Sequence, residues 1–146
     1  VEIGILLSGG VDSALIAYLA KKNYTGKLKA FTIGFDADYA EDEIQAAAET
    51  AKALEIEHHF KRISFSDFLN VVKTCSLIVE EPLATTSMIP MYFLAELAAN
   101  HVKVVLTGQG ADETLGGYVR YKSELLRKII PETLANSIKP ILRLSN

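Results

Sequence analysis

A chain of 146 residues, 49% hydrophobic and 23% charged, can bury roughly two-thirds of its extended surface and has the balance of a globular domain, not of a disordered or coiled-coil segment. Its net charge of −3 lacks the basic footprint of a nucleic-acid binder, and its apolar runs break off well short of the ~20 residues needed to cross a bilayer. The single cysteine, Cys75, excludes an internal disulfide and a multi-cysteine zinc site within the chain; with no signal-peptide pattern before the first strand, the expected compartment is the cytoplasm.

Residues 3–7, IGILL, form a short continuous apolar run typical of a buried parallel strand. SGG follows, then VDSALIAYLAKK, a helix that Asp12 or Ser13 could cap and whose apolar positions Leu15, Ile16 and Leu19 recur near helical spacing; Asn23 to Gly26 ends it. KAFTIGF at 29–35 reads as a second strand. Residues 39–54 carry the clearest helical stripe, Ile44, Ala47, Ala48, Ala51 and Leu54, with Glu41, Asp42 and Glu43 in the first turn, where the helix dipole favours them. Residues 56–60 give a third short strand and 66–79 another helix, with Cys75 as core filler or, alternatively, a reactive thiol. After the polar break from Glu80 to Ser87, helix returns from about Ile89 to Asn100, with Pro90 tolerable in its first turn. VKVVL at 102–106 is a strand and TGQGADETLGG a loop; Val119, Leu125, Leu126, Ile129 and Ile130 mark a helix over 119–130 stopped by Pro131.

This alternation predicts an α/β fold, a doubly wound and mostly parallel sheet with helices on both faces. In such sheets ligands collect at the carboxyl ends of the strands, near the reversal of strand order. Both glycine-rich loops directly follow strands and should open onto one edge. Residues 1–130 are expected to form the core and 131–146 a helical extension. A start on a core strand without methionine, and an apolar tail SIKPILRLSN, suggest a piece of a longer protein.

Ser8-Gly9-Gly10-Val11-Asp12-Ser13 has the chemistry of a phosphate cradle. Adjacent glycines bring backbone N–H groups close to a ligand, the helix start adds unpaired N–H groups and a positive field, and Ser8 and Ser13 add hydroxyls. It is neither a Walker loop nor a dinucleotide fingerprint, since GxxxxGK[ST] and GxGxxG are both absent. It carries instead a carboxylate, Asp12, which would repel phosphates unless a cation such as Mg²⁺ lay between. The plainer alternative is a tight turn whose serine and aspartate only cap the helix.

In the second loop, Thr107-Gly108-Gln109-Gly110-Ala111-Asp112-Glu113, Asp112 could give the same magnesium a second carboxylate, and Glu113 could orient a nucleophile or meet a substrate ammonium group. An ordinary glycine turn with an acidic helix start is the alternative. His58 and His59, adjacent in a strand, should face opposite ways and not share a metal, although a strand-end position leaves a minor site role open. His101 is expected at the surface. Arg120 and Lys122 read as solvated charges that could otherwise reach an anion, and Tyr39, Asp42 and Glu43 as surface or site rim.

SGGVDS resembles the pyrophosphate-binding loop of the N-type (PP-loop) ATP pyrophosphatases. LKAFTIGF, the pair Asp42-Glu43, HHF at 58–60, EEP at 80–82, IPMYFLAELA and above all LTGQGADETLGGY resemble the synthetase domain of the glutamine-hydrolysing asparagine synthetases over residues 3–122. The resemblance implies an adenine nucleotide alpha hydrolase-like fold. It implies ATP and Mg²⁺ as cofactors, with Ser8, Gly9, Gly10, Asp12 and Ser13 on the pyrophosphate portion and Asp12 and Asp112 on the metal. Leu6, Ile33 and Gly34 would flank the adenosine, largely through backbone groups, and Thr107, Gly108 and Glu113 would line the acyl-adenylate site. The implied partners are a small carboxylate, aspartate favoured, and ammonia, with a glutaminase domain or subunit; oligomerisation is left open, and neither nucleic acid nor membrane is implied.

The sequence departs from the family pattern at Gln109, where asparagine synthetases usually have a glutamate thought to deprotonate or position the incoming nitrogen. Glutamine can position but cannot accept a proton as a carboxylate does. That leaves two alternatives: a related amidotransferase with another acyl substrate, or a non-catalytic ATP-binding regulatory module. The family's charge-stabilising lysine matches no residue here.

Overall fold

The apolar run after Glu2 becomes strand β1, Ile3–Leu6, in the interior of a parallel sheet. The computed structural model describes residues 1–36, 43–82 and 85–129, and the chain divides into one compact unit, Val1–Gln109, and a second that begins at Gly110. In the first unit β1 is followed by α1 (Val11–Asn23), β2 (Leu28–Phe35), α2 (Glu43–Ala53), β3 (Glu57–Ile63), α3 (Phe65–Val79), α4 (Met88–Ala99) and β4 (Val104–Leu106). The sheet order is β3-β2-β1-β4, and all three pairings are parallel. The order therefore reverses at β1, between β2 and β4.

Alternation along β2 assigns the two faces. Leu28 and Ala30 join Ile5 and Leu7 of the β1 segment with Ala17, Ala20, Ala47 and Ala51 of α1 and α2. On the other face Ile33 joins Ile63, Cys75, Ile89 and Phe93 of β3, α3 and α4. Helices thus cover both faces, and the doubly wound α/β expectation holds. Phe31, fully buried, packs with Ala98 and Val102; a side chain of that size stabilises by roughly 1.5–3 kcal/mol on burial. It lies so close over β1 that a Cβ on Gly4 would come 2.7 Å from its ring and 2.8 Å from Val102 Cγ2.

Several boundaries and faces differ from the sequence expectations. α1 turns Ser13, Ala17 and Ala20 inward and leaves Leu15 and Leu19 exposed, with Gly10 and not Asp12 or Ser13 at its N-cap. β3 runs on through Phe60, Lys61 and Arg62 to Ile63, because a margin strand tolerates polar side chains; His58 and His59 therefore lie near its start, not at the carboxyl edge. β4 begins only at Val104, since Val102 still bonds back to the Ala98 carbonyl. Residues 39–42 of the expected second helix, with Tyr39 and Asp42, and the boundary expected at 130/131 lie outside the described residues. Among those described, no helix is long and apolar enough to cross a membrane.

In the second unit, α5 (Ala111–Leu115) occupies part of the expected loop, and α6 spans Val119–Ile129.

Candidate active site

β1 and β4 pair from Ile3↔Val104 to Ile5↔Leu106, so the loops that leave their carboxyl ends emerge side by side. This is the switch point at which open α/β sheets bind ligands. The contact is close: a Cβ on Gly108 would stand 2.9 Å from the backbone nitrogen of Ser13 and 3.0 Å from the Asp12 carbonyl carbon. No side chain fits there, and the two glycine loops meet main chain to main chain. On its other side the first loop approaches α2, where a Cβ on Gly9 would come 2.9 Å from that of Ala46.

The loop is held by its own hydroxyls. Gly10 N–H donates to Ser8 Oγ at 3.2 Å, and Ser8 N–H donates to Ser13 Oγ at 3.1 Å. The two hydroxyls lie 3.0 Å apart, and Ser13 Oγ donates to the Gly10 carbonyl at 3.0 Å. Either hydroxyl can donate across the gap between the two, and the Ser8 carbonyl, 3.3 Å from Ser13 Oγ, is a further acceptor within its reach. Ser13 is buried, Ser8 half-buried and Gly9 and Gly10 exposed. Val11, Asp12 and Ser13 open α1, so their N–H groups have no intrahelical acceptor. An anion at that turn meets backbone donors and the positive end of the helix together.

The residues expected around an adenosine sit at the ends of β1 and β2. Leu6 is half-buried, and the Ile33 side chain is committed to the core with Ile63 and Cys75, which leaves main-chain groups as the contact it can offer. In the second loop Thr107 and Gln109 are exposed, and Gln109 N–H donates to Thr107 Oγ1 at 3.2 Å.

In the second unit, Gly110 (φ 94°) and Gly116 (φ 70°) bracket α5 in left-handed conformations that favour glycine. Asp112 is half-buried, and its carbonyl accepts from Gly117 N–H at 3.1 Å. Tyr118 O–H donates to Glu113 Oε1 at 2.6 Å. This bond holds the Glu113 carboxyl below the ordinary glutamate range and pushes the Tyr118 phenol up. Arg120, expected as a solvated charge, lies over the Tyr118 ring at 4.6 Å; the Lys122 side chain lies outside the described residues.

Among the described residues no group of three or more His, Cys, Asp or Glu converges to hold a metal ion. A magnesium ion bound with a nucleotide needs less, one or two carboxylates beside phosphate oxygens and water. A carboxylate on Asp12, in a turn whose amides attract anions, fits that need. The histidines face apart as expected: His58 Nε2 lies 2.8 Å from Thr32 Oγ1, while the His59 ring stacks on Phe31. His101, expected at the surface, is half-buried, its ring 4.1 Å from that of His59. Thr32 Oγ1 donates to the carbonyl of Leu7, the residue before the first loop, at 2.7 Å; the sequence carries no sign of it, since a threonine within a strand signals only β-propensity.

A family model described as asparagine synthase matches residues 1–144. The chain is 39% identical to a glutamine-hydrolysing asparagine synthetase 1 of Bacillus subtilis (strain 168) across 97% of its own length and 22% of that protein's. It is 29% identical to a glutamine-hydrolysing asparagine synthetase 1 of Arabidopsis thaliana across 97% of its length and 26% of the relative's. The fold is similar to that of an NH3-dependent NAD synthetase from Campylobacter jejuni, solved with a nitrate ion, with a TM-score of 0.53 and 22% identity over 80% of this chain and 51% of that one. The chain spans about a fifth to a quarter of the length of these curated relatives.

Proposed function

This chain belongs to the asparagine synthase family, and from that membership we propose that it is the ATP-binding core of a carbon–nitrogen ligase that activates a carboxylate as its acyl-adenylate. The observation that carries the reading is the main-chain approach of Gly108 to the first turn of α1, which brings the two glycine loops together at the switch point.

The amides of Gly9 to Ser13 would receive the phosphates, and Ser8 and Ser13 would turn their hydroxyls from each other toward phosphoryl oxygens. Leu6, Ile33 and Gly34 would border the adenosine through main-chain groups. Asp12 and Asp112 would hold Mg²⁺, which offsets the charge of the phosphates. Thr107, Gly108 and Glu113 would line the acyl site, and Gln109 would orient the incoming nitrogen. A carboxylate oxygen of the substrate, aspartate by preference, attacks the α-phosphorus and the bond to pyrophosphate breaks. Ammonia then attacks the acyl carbon, loses a proton, and AMP leaves with the electron pair of the broken C–O bond. The chain's part is mainly positioning and electrostatic stabilisation. A glutaminase domain or subunit would supply the ammonia.

Gln109 favours a second reading within the same branch, an amidotransferase with another acyl substrate, because the glutamine cannot take the proton that a carboxylate would. Incubating the full-length protein with ATP, Mg²⁺, ammonia and a panel of carboxylates, scored by AMP, pyrophosphate and product mass, separates the two. Conversion of aspartate to asparagine rejects the second reading. Absence of pyrophosphate release with every carboxylate in the panel would reject both and point to a non-catalytic ATP-binding module. Asp12→Asn should cut pyrophosphate release by a factor on the order of 100 while leaving the thermal midpoint nearly unchanged; parallel loss of activity and stability would count against the assignment.

A further inference from the structure

The loop's backbone is fixed from behind by two side chains outside the motif. Beyond the last ladder pair, Leu6↔Phe31, the Leu7 N–H donates to the Phe31 carbonyl at 2.9 Å. The Leu7 carbonyl accepts from Thr32 Oγ1 at 2.7 Å, and Thr32 is only 2% exposed. The same hydroxyl lies 2.8 Å from His58 Nε2. A threonine hydroxyl has one hydrogen and a carbonyl can only accept. That hydrogen is therefore on the Leu7 bond, and His58 must carry its proton on Nε2 and donate to Thr32. Burial, and then the neighbouring His59, lower the pKa of His58 and so favour its neutral ring.

The Leu7 carbonyl and the Ser8 N–H belong to one planar peptide. Its far side donates to Ser13 Oγ, whose hydroxyl goes on to Gly10. Donors thus run in one direction from His58 on the margin strand, through Thr32 and the Leu7–Ser8 peptide, to the turn that opens α1. Hydrogen bonds in such a series polarise one another, and the peptide cannot rotate without losing bonds on both of its edges.

We infer that Thr32 and His58 are positioning residues for the nucleotide, setting the Leu7–Ser8 peptide plane and with it the amides of the first loop; this rests on the ATP-binding reading above. The test uses the full-length protein with three readouts: imidazole ¹⁵N NMR of His58, hydrogen exchange at the Ser8 amide, and titration with MgATP. Neutral His58 should be protonated at Nε2. Thr32→Val and His58→Leu should each speed Ser8 exchange about fivefold, the equivalent of one ordinary hydrogen bond, while the Ile5 amide in β1 keeps its rate. Both should raise the Kd for ATP by a similar factor, and Thr32→Ser should restore both values. If Thr32→Val fails to fold, His58→Leu decides, since His58 is half-buried on a margin strand. A proton on Nδ1, an unchanged Ser8 rate, or faster exchange with unchanged ATP affinity overturns the inference. Should the wild type bind no ATP, the functional reading falls, while Ser8 exchange, which needs no ligand, still decides whether the relay holds the peptide.

Discussion

Gly108 leaves a methyl group nowhere to go, because what it meets is the backbone of Asp12 and Ser13, not the movable end of a side chain. Gly108→Ala should therefore cost about 1–3 kcal/mol in urea unfolding and push the two loops apart, raising the Kd for ATP roughly tenfold in a nucleotide titration. Gly110→Ala has open space around its Cβ and should act only through the backbone, at φ 94°. The sequence places both glycine-rich loops at one sheet edge, but it gives their glycines a ligand to approach; that Gly108 approaches the other loop's backbone is not marked by any local pattern. The hydroxyl ring of Ser8 and Ser13 was not legible either: both serines read as donors awaiting a ligand, but the turn first uses them on each other, in a contact five residues apart that no periodicity marks.

At the scale of elements, α1 shows how size misleads a reading by apolar spacing. Its inward stripe, Ser13, Ala17 and Ala20, repeats at helical spacing as faithfully as Leu15, Ile16 and Leu19 do, but in small residues that let the helix lie close on the sheet. α3 is better marked. Ser64 and Asp67 form a reciprocal capping box, with Asp67 N–H donating to Ser64 Oγ at 3.2 Å and Ser64 N–H to Asp67 Oδ2 at 2.8 Å. Ser64→Ala should lower stability by about 1 kcal/mol. The bonds from Ser64 hold the Asp67 carboxyl below the usual aspartate value, so the folded state binds this proton less readily than the unfolded one. Its contribution is complete above the ordinary aspartate pKa and is lost as pH falls through the lower folded value. Denaturant midpoints of wild type and Asp67→Asn should differ at neutral pH and converge toward acid.

For the molecule as a whole, the alternation of strands and helices was enough for a doubly wound sheet, because parallel strands need covered crossovers. The extent of β3 was not legible, since a margin strand carries lysine and arginine where an interior one would carry valine. Nor was the tight seating of Phe31 across β1, which depends on one missing methyl at position 4. Gly4→Ala should cost about 1–3 kcal/mol and shift the unfolding of the first unit as one transition by circular dichroism and by ATP protection alike; a change confined to one probe would contradict that seating.

The pairing of β1 with β4 joins segments about a hundred residues apart. Contacts of that separation raise the contact order and slow folding, since a long loop must close before the pair gives anything back. The first loop leaves the ribosome about a hundred residues before Gly108, and Gly108 must be translated before the wall against that loop can exist. A nascent chain will hold an unfinished loop pair until then, and on the proposed ATP-binding reading the nucleotide can favour only the last stage of its maturation.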